Sequence, residues 1–207
     1  MKNLIALTVA AAMSASMAFA AAPATSDDFD SATLGSHWHW KNAPAESDGM
    51  SLTAAPGKLR LKTTAVSKDF GSAQGTLVQP VGDKACTAVV KITTAKMKEG
   101  DAAGFGIVTG QNNALLSVKV RGIRKFVVLE ENDADKLVIP MPGHTVYLRT
   151  EIGDNHLATL SFSSDGEQWT PVGDSAFAAD PSSEFAIYNF STKKTGGSVD
   201  VDFFHVD

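Results

Sequence analysis

The sequence predicts an all-β protein built as a two-sheet antiparallel β-sandwich of the jelly-roll type. Three observations predict it. From Leu59 onward no stretch carries apolar residues at helical spacing, while short segments rich in β-branched and aromatic residues recur at 87–93, 104–109, 114–120, 125–129, 145–151, 157–163, 168–172, 184–190 and 198–206. Turn-forming residues fall between them, as in Lys98-Glu99-Gly100-Asp101, Gly110-Gln111-Asn112-Asn113, Asn132-Asp133, Gly153-Asp154-Asn155, Asp165-Gly166 and Gly196-Gly197. In Gly57-Lys58-Leu59-Arg60-Leu61-Lys62 the leucines and the cations alternate strictly, which is the period of a strand with one buried face. Short strands punctuated this regularly favour a sandwich of about a dozen strands over an alternating α/β fold.

In chain order, residues 1–20 read as a secretory signal peptide. Lys2 supplies the positive start, an apolar run too short to span a bilayer begins at Leu4, and Ala18-Phe19-Ala20 is a cleavage signal. Residues 21–26 are a small-residue lead-in, and the sandwich is expected over 27–207, beginning at Asp27-Asp28-Phe29-Asp30. An opening strand is expected over 34–40, with Trp38 and Trp40 on one side and His37, His39 and Lys41 on the other. Residues 43–49 form a polar connection. Segments 157–163 and 168–172 read as a hairpin, with Asp165 and Gly166 at its positive-φ positions. In the last segment Val199, Val201 and Phe203 alternate with Asp200, Asp202 and Phe204, so large groups lie on both faces and the strand is expected in the middle of a sheet.

Composition narrows the function. The formal net charge of −5 becomes −6 once Lys2 leaves with the leader, and the cations are scattered, which argues against a nucleic-acid or anionic-membrane partner. No second long apolar stretch follows the leader, so no membrane span is expected and the protein should be secreted, to the periplasm or beyond. A single cysteine, Cys86, cannot form an internal disulfide, and its alanine and valine neighbours suggest a buried, inert thiol.

Four motifs carry a resemblance. Trp38-x-Trp40 precedes Pro56-Gly57-x-Leu59-Arg60-Leu61; Met97-Lys98-x-Gly100-Asp101-x-Ala103-Gly104 follows; then Ser163-x-Asp165-Gly166-x-x-Trp169; and last a Phe190-Ser191 to Gly196-Gly197 to Asp200-x-Asp202-Phe203-Phe204 ending. In that order they resemble the concanavalin A-like β-sandwich at the C-terminus of family 43 glycoside hydrolases, the β-xylosidase and arabinofuranosidase group. One departure is the run Lys41-Asn42-Ala43-Pro44, where related domains often carry an Asn-His-Asn-Pro-like run. In that family the catalytic carboxylates sit on a separate propeller, for which this chain has no room. The resemblance therefore implies an accessory, non-catalytic domain, with xylan-type or arabinose-bearing plant polysaccharide or oligosaccharide as the ligand class. It also implies an alternative, a structural domain that docks on a protein such as a glycoside hydrolase.

A retaining glucanase of this fold type needs an E-x-D-x-x-E strand; the nearest run, 130–135, matches poorly and reads as a solvated hairpin tip. A hydrolase of unrecognised type is thus a third reading. Sugar rings stack on aromatic faces while polar side chains take their hydroxyls, so Trp38, Trp40 and Trp169 are candidate platforms and Arg60, Arg121, Arg149 and Asn189 candidate partners. For each tryptophan a core position is the competing assignment. A structural calcium near the chain ends would draw on Asp28, Asp30, Asp200 and Asp202, and hydrogen bonding to a neighbouring loop is the alternative use of those carboxylates. His37 and His39 lack a third zinc ligand nearby, and no phosphate loop, dinucleotide fingerprint or nucleophile elbow is visible.

Overall fold

The computed structural model describes residues 22–110, 112–141, 143–173 and 177–207. The predicted signal peptide lies outside the described residues. Among them, no helix is long and apolar enough to cross a membrane.

Two antiparallel sheets form a sandwich. The first contains, in spatial order, β1 (His39–Asn42), β4 (Thr76–Pro80), β14 (Glu184–Ser191), β6 (Asp101–Thr109), β7 (Asn112–Arg121), β8 (Arg124–Glu131) and β9 (Ala134–Pro140). The second runs β12 (Thr170–Pro171), β11 (Leu157–Ser163), β10 (Thr145–Ile152), β5 (Cys86–Thr93), β15 (Ser198–Val206), β3 (Leu59–Lys62) and β2 (Met50–Ser51), with β13 (Phe177–Ala178) paired to β11. The strictly alternating strands behave as the sequence predicts: Leu59 and Leu61 on β3, and Val146, Leu148, Thr150 and Ile152 on β10, point inward. The last strand is central, between β5 and β3.

Between the sheets lies an aromatic cluster. Phe204 meets Phe105 at 5.9 Å, Phe185 at 5.8 Å and Trp38 edge-on at 5.2 Å, and Trp38 also contacts Phe29 at 5.9 Å. Trp38 is 5% exposed and its indole N–H donates to Asp27 Oδ2 at 2.9 Å. The N-terminal segment is thereby fastened to the final strand, for Asp27 and Phe204 also exchange backbone hydrogen bonds at 2.7 and 2.8 Å.

Phe204 reaches this cluster through an irregularity. Val201 pairs with Ile92 and Phe203 with Lys91, so Asp202 is an extra residue in the ladder and the side-chain alternation changes phase. Strict alternation would have sent Phe203 inward; the bulge turns it outward and buries Phe204 instead. The hairpin at 163–170 also differs in detail. Gly166 alone has a positive φ (83°), while Asp165 keeps ordinary backbone and its Oδ1 accepts the N–H groups of Glu167 and Gln168, each at 2.9 Å.

A second apolar cluster covers the outer face of the seven-stranded sheet. Ala186 and Tyr188 of β14, Ala102 and Val108 of β6 and Leu115 of β7 pack beneath Phe70, whose ring meets Tyr188 edge-on at 5.0 Å. The loop carrying Phe70 is pinned where Ser67 N–H donates to Ser191 O at 2.8 Å. Strand β6 consequently has apolar neighbours on both faces. Its Gly104 and Gly106 admit no side chain, because a Cβ would fall 2.0 Å from Leu116 O and 2.3 Å from Ala114 O.

Replacing Trp38 with alanine removes a ring from the aromatic cluster and leaves Asp27 without its indole donor. The expected loss is about 3–5 kcal/mol of unfolding free energy, read as a lower midpoint in urea denaturation.

Candidate functional site

The seven-stranded sheet places three polar side chains of β7 on its outer face. Ser117, Lys119 and Arg121 fall at alternate positions, so they project on the side away from the core. Glu130 of the neighbouring β8, paired with Leu115, lies within reach of Lys119, and the β8–β9 turn brings Asp135 alongside it. That turn is tight because Asn132 and Asp133 both adopt positive φ (51° and 62°), the conformation of a type I′ hairpin.

These groups form one chain of contacts. Lys119 Nζ donates to Glu130 and, at 2.6 Å, to Asp135 Oδ1; Arg121 donates to Asp135 Oδ2 and lies over the Phe126 ring. Below them Tyr188, fully buried, shares a 2.5 Å hydrogen bond with Ser117. Burial, reinforced by the negative charge of Glu130, pushes the Tyr188 hydroxyl pKa well above its ordinary range, so the phenol stays neutral. Glu130 is only 3% exposed, and burial raises its pKa despite Lys119. Asp135 is also penalised by burial, but Lys119 and Arg121 together outweigh this and hold its pKa below the usual value.

The chain of contacts lines a cavity of about 330 Å³. Phe70, Ala102 and Phe190 form its apolar side, and the rim carries the Lys193–Glu99 ion pair at 2.5 Å. Two carboxyl groups with pKa values pushed apart are the raw material of acid–base catalysis. Here one ammonium, that of Lys119, bridges both. The arrangement is suited to holding hydroxyl groups.

The residues singled out in the sequence are dispersed. Trp38 and Asn189 are buried and offer no surface to a ligand; Asn189 Nδ2 ties the two sheets together by donating to Leu61 O at 2.9 Å. Trp40 is half-buried on edge strand β1, packed against the core. Arg60 is committed to Asp200 by a two-pronged pair at 2.6 and 2.8 Å on the outer face of the eight-stranded sheet. Arg149 covers the Trp169 ring at 4.3 Å and also bonds Ser161 and Glu151, each at 2.9 Å. Of the residues considered for sugar contact, Arg121 alone reaches the cavity.

Run 130–135 is corrected by the structure. Its turn residues are solvated, but Glu130 is buried and ion-paired. Glu130 and Asp135 were weighed in the sequence only as a catalytic pair and set aside, and Lys119 was not singled out; the available signal was the Ser117-x-Lys119-x-Arg121 alternation inside an otherwise apolar strand.

The four carboxylates considered for calcium do not converge. Asp202 is bound by Lys58 and Lys91, both at 2.7 Å, Asp200 by Arg60, and Asp28 by His205 at 2.7 Å. Among the described residues no group of three or more His, Cys, Asp or Glu side chains is placed to hold a metal. Asp200 and Asp202, already neutralised by lysines and an arginine, do not suit a hard divalent ion. His37 contacts Asp27 and His39 contacts Glu184. Cys86 is half-buried, with its thiol pKa raised by burial.

A family model described as the beta-xylosidase C-terminal concanavalin A-like domain matches residues 26–207. A β-xylosidase of Formosa agariphila is 31% identical over 212 residues, which cover 90% of this chain and 35% of that protein. A bifunctional GH43-CE protein of Bacteroides eggerthii superimposes with a TM-score of 0.79 at 28% identity, covering 88% of this chain and 25% of that one. A GH43 protein of Bacillus licheniformis shares the fold at a TM-score of 0.74 and 20% identity, over 87% of this chain and 38% of that one. The chain thus spans about a third or less of the first two proteins.

Two outcomes follow from this geometry. Chelation with EDTA is expected to leave the thermal midpoint unchanged; a clear drop would show that a metal supports the fold. Because the folded-state pKa of Glu130 lies above its ordinary 4.5, its ionisation costs stability that is retained below that value and lost as pH rises through the raised one. The melting temperature of Glu130→Gln minus that of wild type should therefore climb with pH across that window, measured by calorimetry.

Proposed function

Because the chain belongs to the β-xylosidase C-terminal concanavalin A-like domain family, we propose that it is an exported, non-catalytic module that binds xylan-type or arabinose-bearing plant oligosaccharide or polysaccharide. The observation that carries this reading is the cavity of about 330 Å³ over β7 and β8, where donors and acceptors alternate beside an apolar wall. Sugars present the same two chemistries, hydroxyl edges and C–H faces. Lys119 and Arg121 would donate to ring hydroxyls, and Glu130 and Asp135 would accept from them. With the ammonium of Lys119 locked between the two carboxyl groups, the module holds sugar without cleaving it.

A second reading, docking on a glycoside hydrolase, is favoured by one observation. Edge strand β9 exposes Leu137 and Val138 by more than a third, and Ile123 at the β7–β8 tip is 99% exposed. An apolar edge of this kind suits a protein surface.

Calorimetric titration of the mature protein with xylo-oligosaccharides and arabinose-substituted xylo-oligosaccharides is expected to give saturable heat, with the sugar recovered intact. Asp135→Ala should weaken binding by about ten-fold or more while the circular dichroism spectrum is retained. No heat with any of these sugars would overturn the sugar reading and favour docking; released xylose or arabinose would establish a hydrolase.

A further inference from the structure

Three of the four cations around the cavity are ion-paired to a carboxylate, and the fourth, Lys68, stands at the rim. Lys119 serves Glu130 and Asp135, Arg121 serves Asp135, Lys193 serves Glu99, and Lys68 lies beside Asp69. Asp101 and Asp133 add further acidity, so the lining holds six carboxyl groups against four cations. Asp101 is itself buried, with Oδ2 accepting Lys98 N–H at 2.7 Å.

The order of groups matters as much as the balance. Along the wall, Glu130, Lys119, Asp135 and Arg121 alternate acceptor and donor. A sugar hydroxyl both donates and accepts, so a vicinal diol can bridge adjacent members without breaking a pair. A carboxylate only accepts. To be held here it would have to share cations already drawn to Glu130 and Asp135, in a lining whose carboxyl groups outnumber its cations, so it meets like charge at close range.

From the carbohydrate reading of this cavity, on which the inference rests, we infer that the site selects uncharged sugar units bearing vicinal hydroxyls and excludes uronic acids. At about 330 Å³ the cavity is near the lower end of ligand pockets. It suits a branch or a chain end of one or two units. On a mixed polysaccharide the module would settle on neutral regions and avoid acidic substituents.

The test compares two ligands of equal length by titration calorimetry: an arabinose-substituted xylotriose, which is neutral, and a glucuronic-acid-substituted xylotriose. The neutral ligand is expected to bind at least about ten-fold more tightly at low salt. The gap should narrow in about 1 M salt, where the screening length is about 3 Å, and again in Asp135→Asn. Equal or tighter binding of the acidic ligand overturns the selectivity while leaving the sugar-binding reading intact. A gap that salt does not change also overturns it, because the discrimination would then be steric; this measurement uses the wild-type protein and does not depend on the variant folding. If neither ligand binds, the sugar-binding reading falls and the selectivity with it.

Discussion

The middle of the seven-stranded sheet is apolar on both faces, and the second face has to be covered. Strands β6 and β14 present Phe105, Phe185 and Ile187 to the core, and Ala102, Val108, Ala186 and Tyr188 to the other side. The Phe70 loop provides the cover, held down by its hydrogen bond to Ser191. It stops short of β8, and the polar groups of β7 and β8 occupy the margin between covered and open sheet. Glu130 is as dry as a core residue yet borders a cavity beside the partly exposed Lys119, which explains both their pairing and the raised pKa of Glu130.

The two outer faces of the sandwich solve the problem of exposed sheet differently. On the eight-stranded sheet, long cations lie flat across the strands, as Arg60 does against Asp200 and as Lys58 and Lys91 do against Asp202. Their stems cover β-sheet surface while their heads remain wet. The bulge at Asp202 makes this possible, since it sets one carboxylate between two lysines and sends Phe203 outward to stack on His205 at 4.1 Å. That face is neutralised by its own ion pairs. The seven-stranded side is relieved by a cavity.

Legibility in the sequence followed the periodicity of each strand. Strand β3 has one wet face and its alternation revealed it, while β10 and β11 were revealed by their β-branched and aromatic residues. Strand β4 was missed because Thr76-Leu77-Val78-Gln79 is buried on both sides and shows no alternation. Strand β9 was missed because an exposed edge imposes no pattern on Ala134–Pro140. The phase change in β15 is invisible without the partner strand. For the site, Arg121 was noted as a polar residue, but the burial of Glu130 depends on cover that includes Phe70, sixty positions earlier in the chain. Local spacing does not encode such a long-range condition. The W-x-W motif was read correctly as a landmark, although Trp38 serves the interior through Asp27 rather than a ligand.

The position of β15 bears on how the molecule is made. It is the last strand of the sandwich in chain order, yet it sits between β5 and β3 and supplies Phe204 to the central cluster. Until those residues arrive, the eight-stranded sheet is two separate pieces with an open seam between them. The chain ahead of residue 198 therefore lacks the strand that joins the two pieces, and closure of this sheet waits for the final segment.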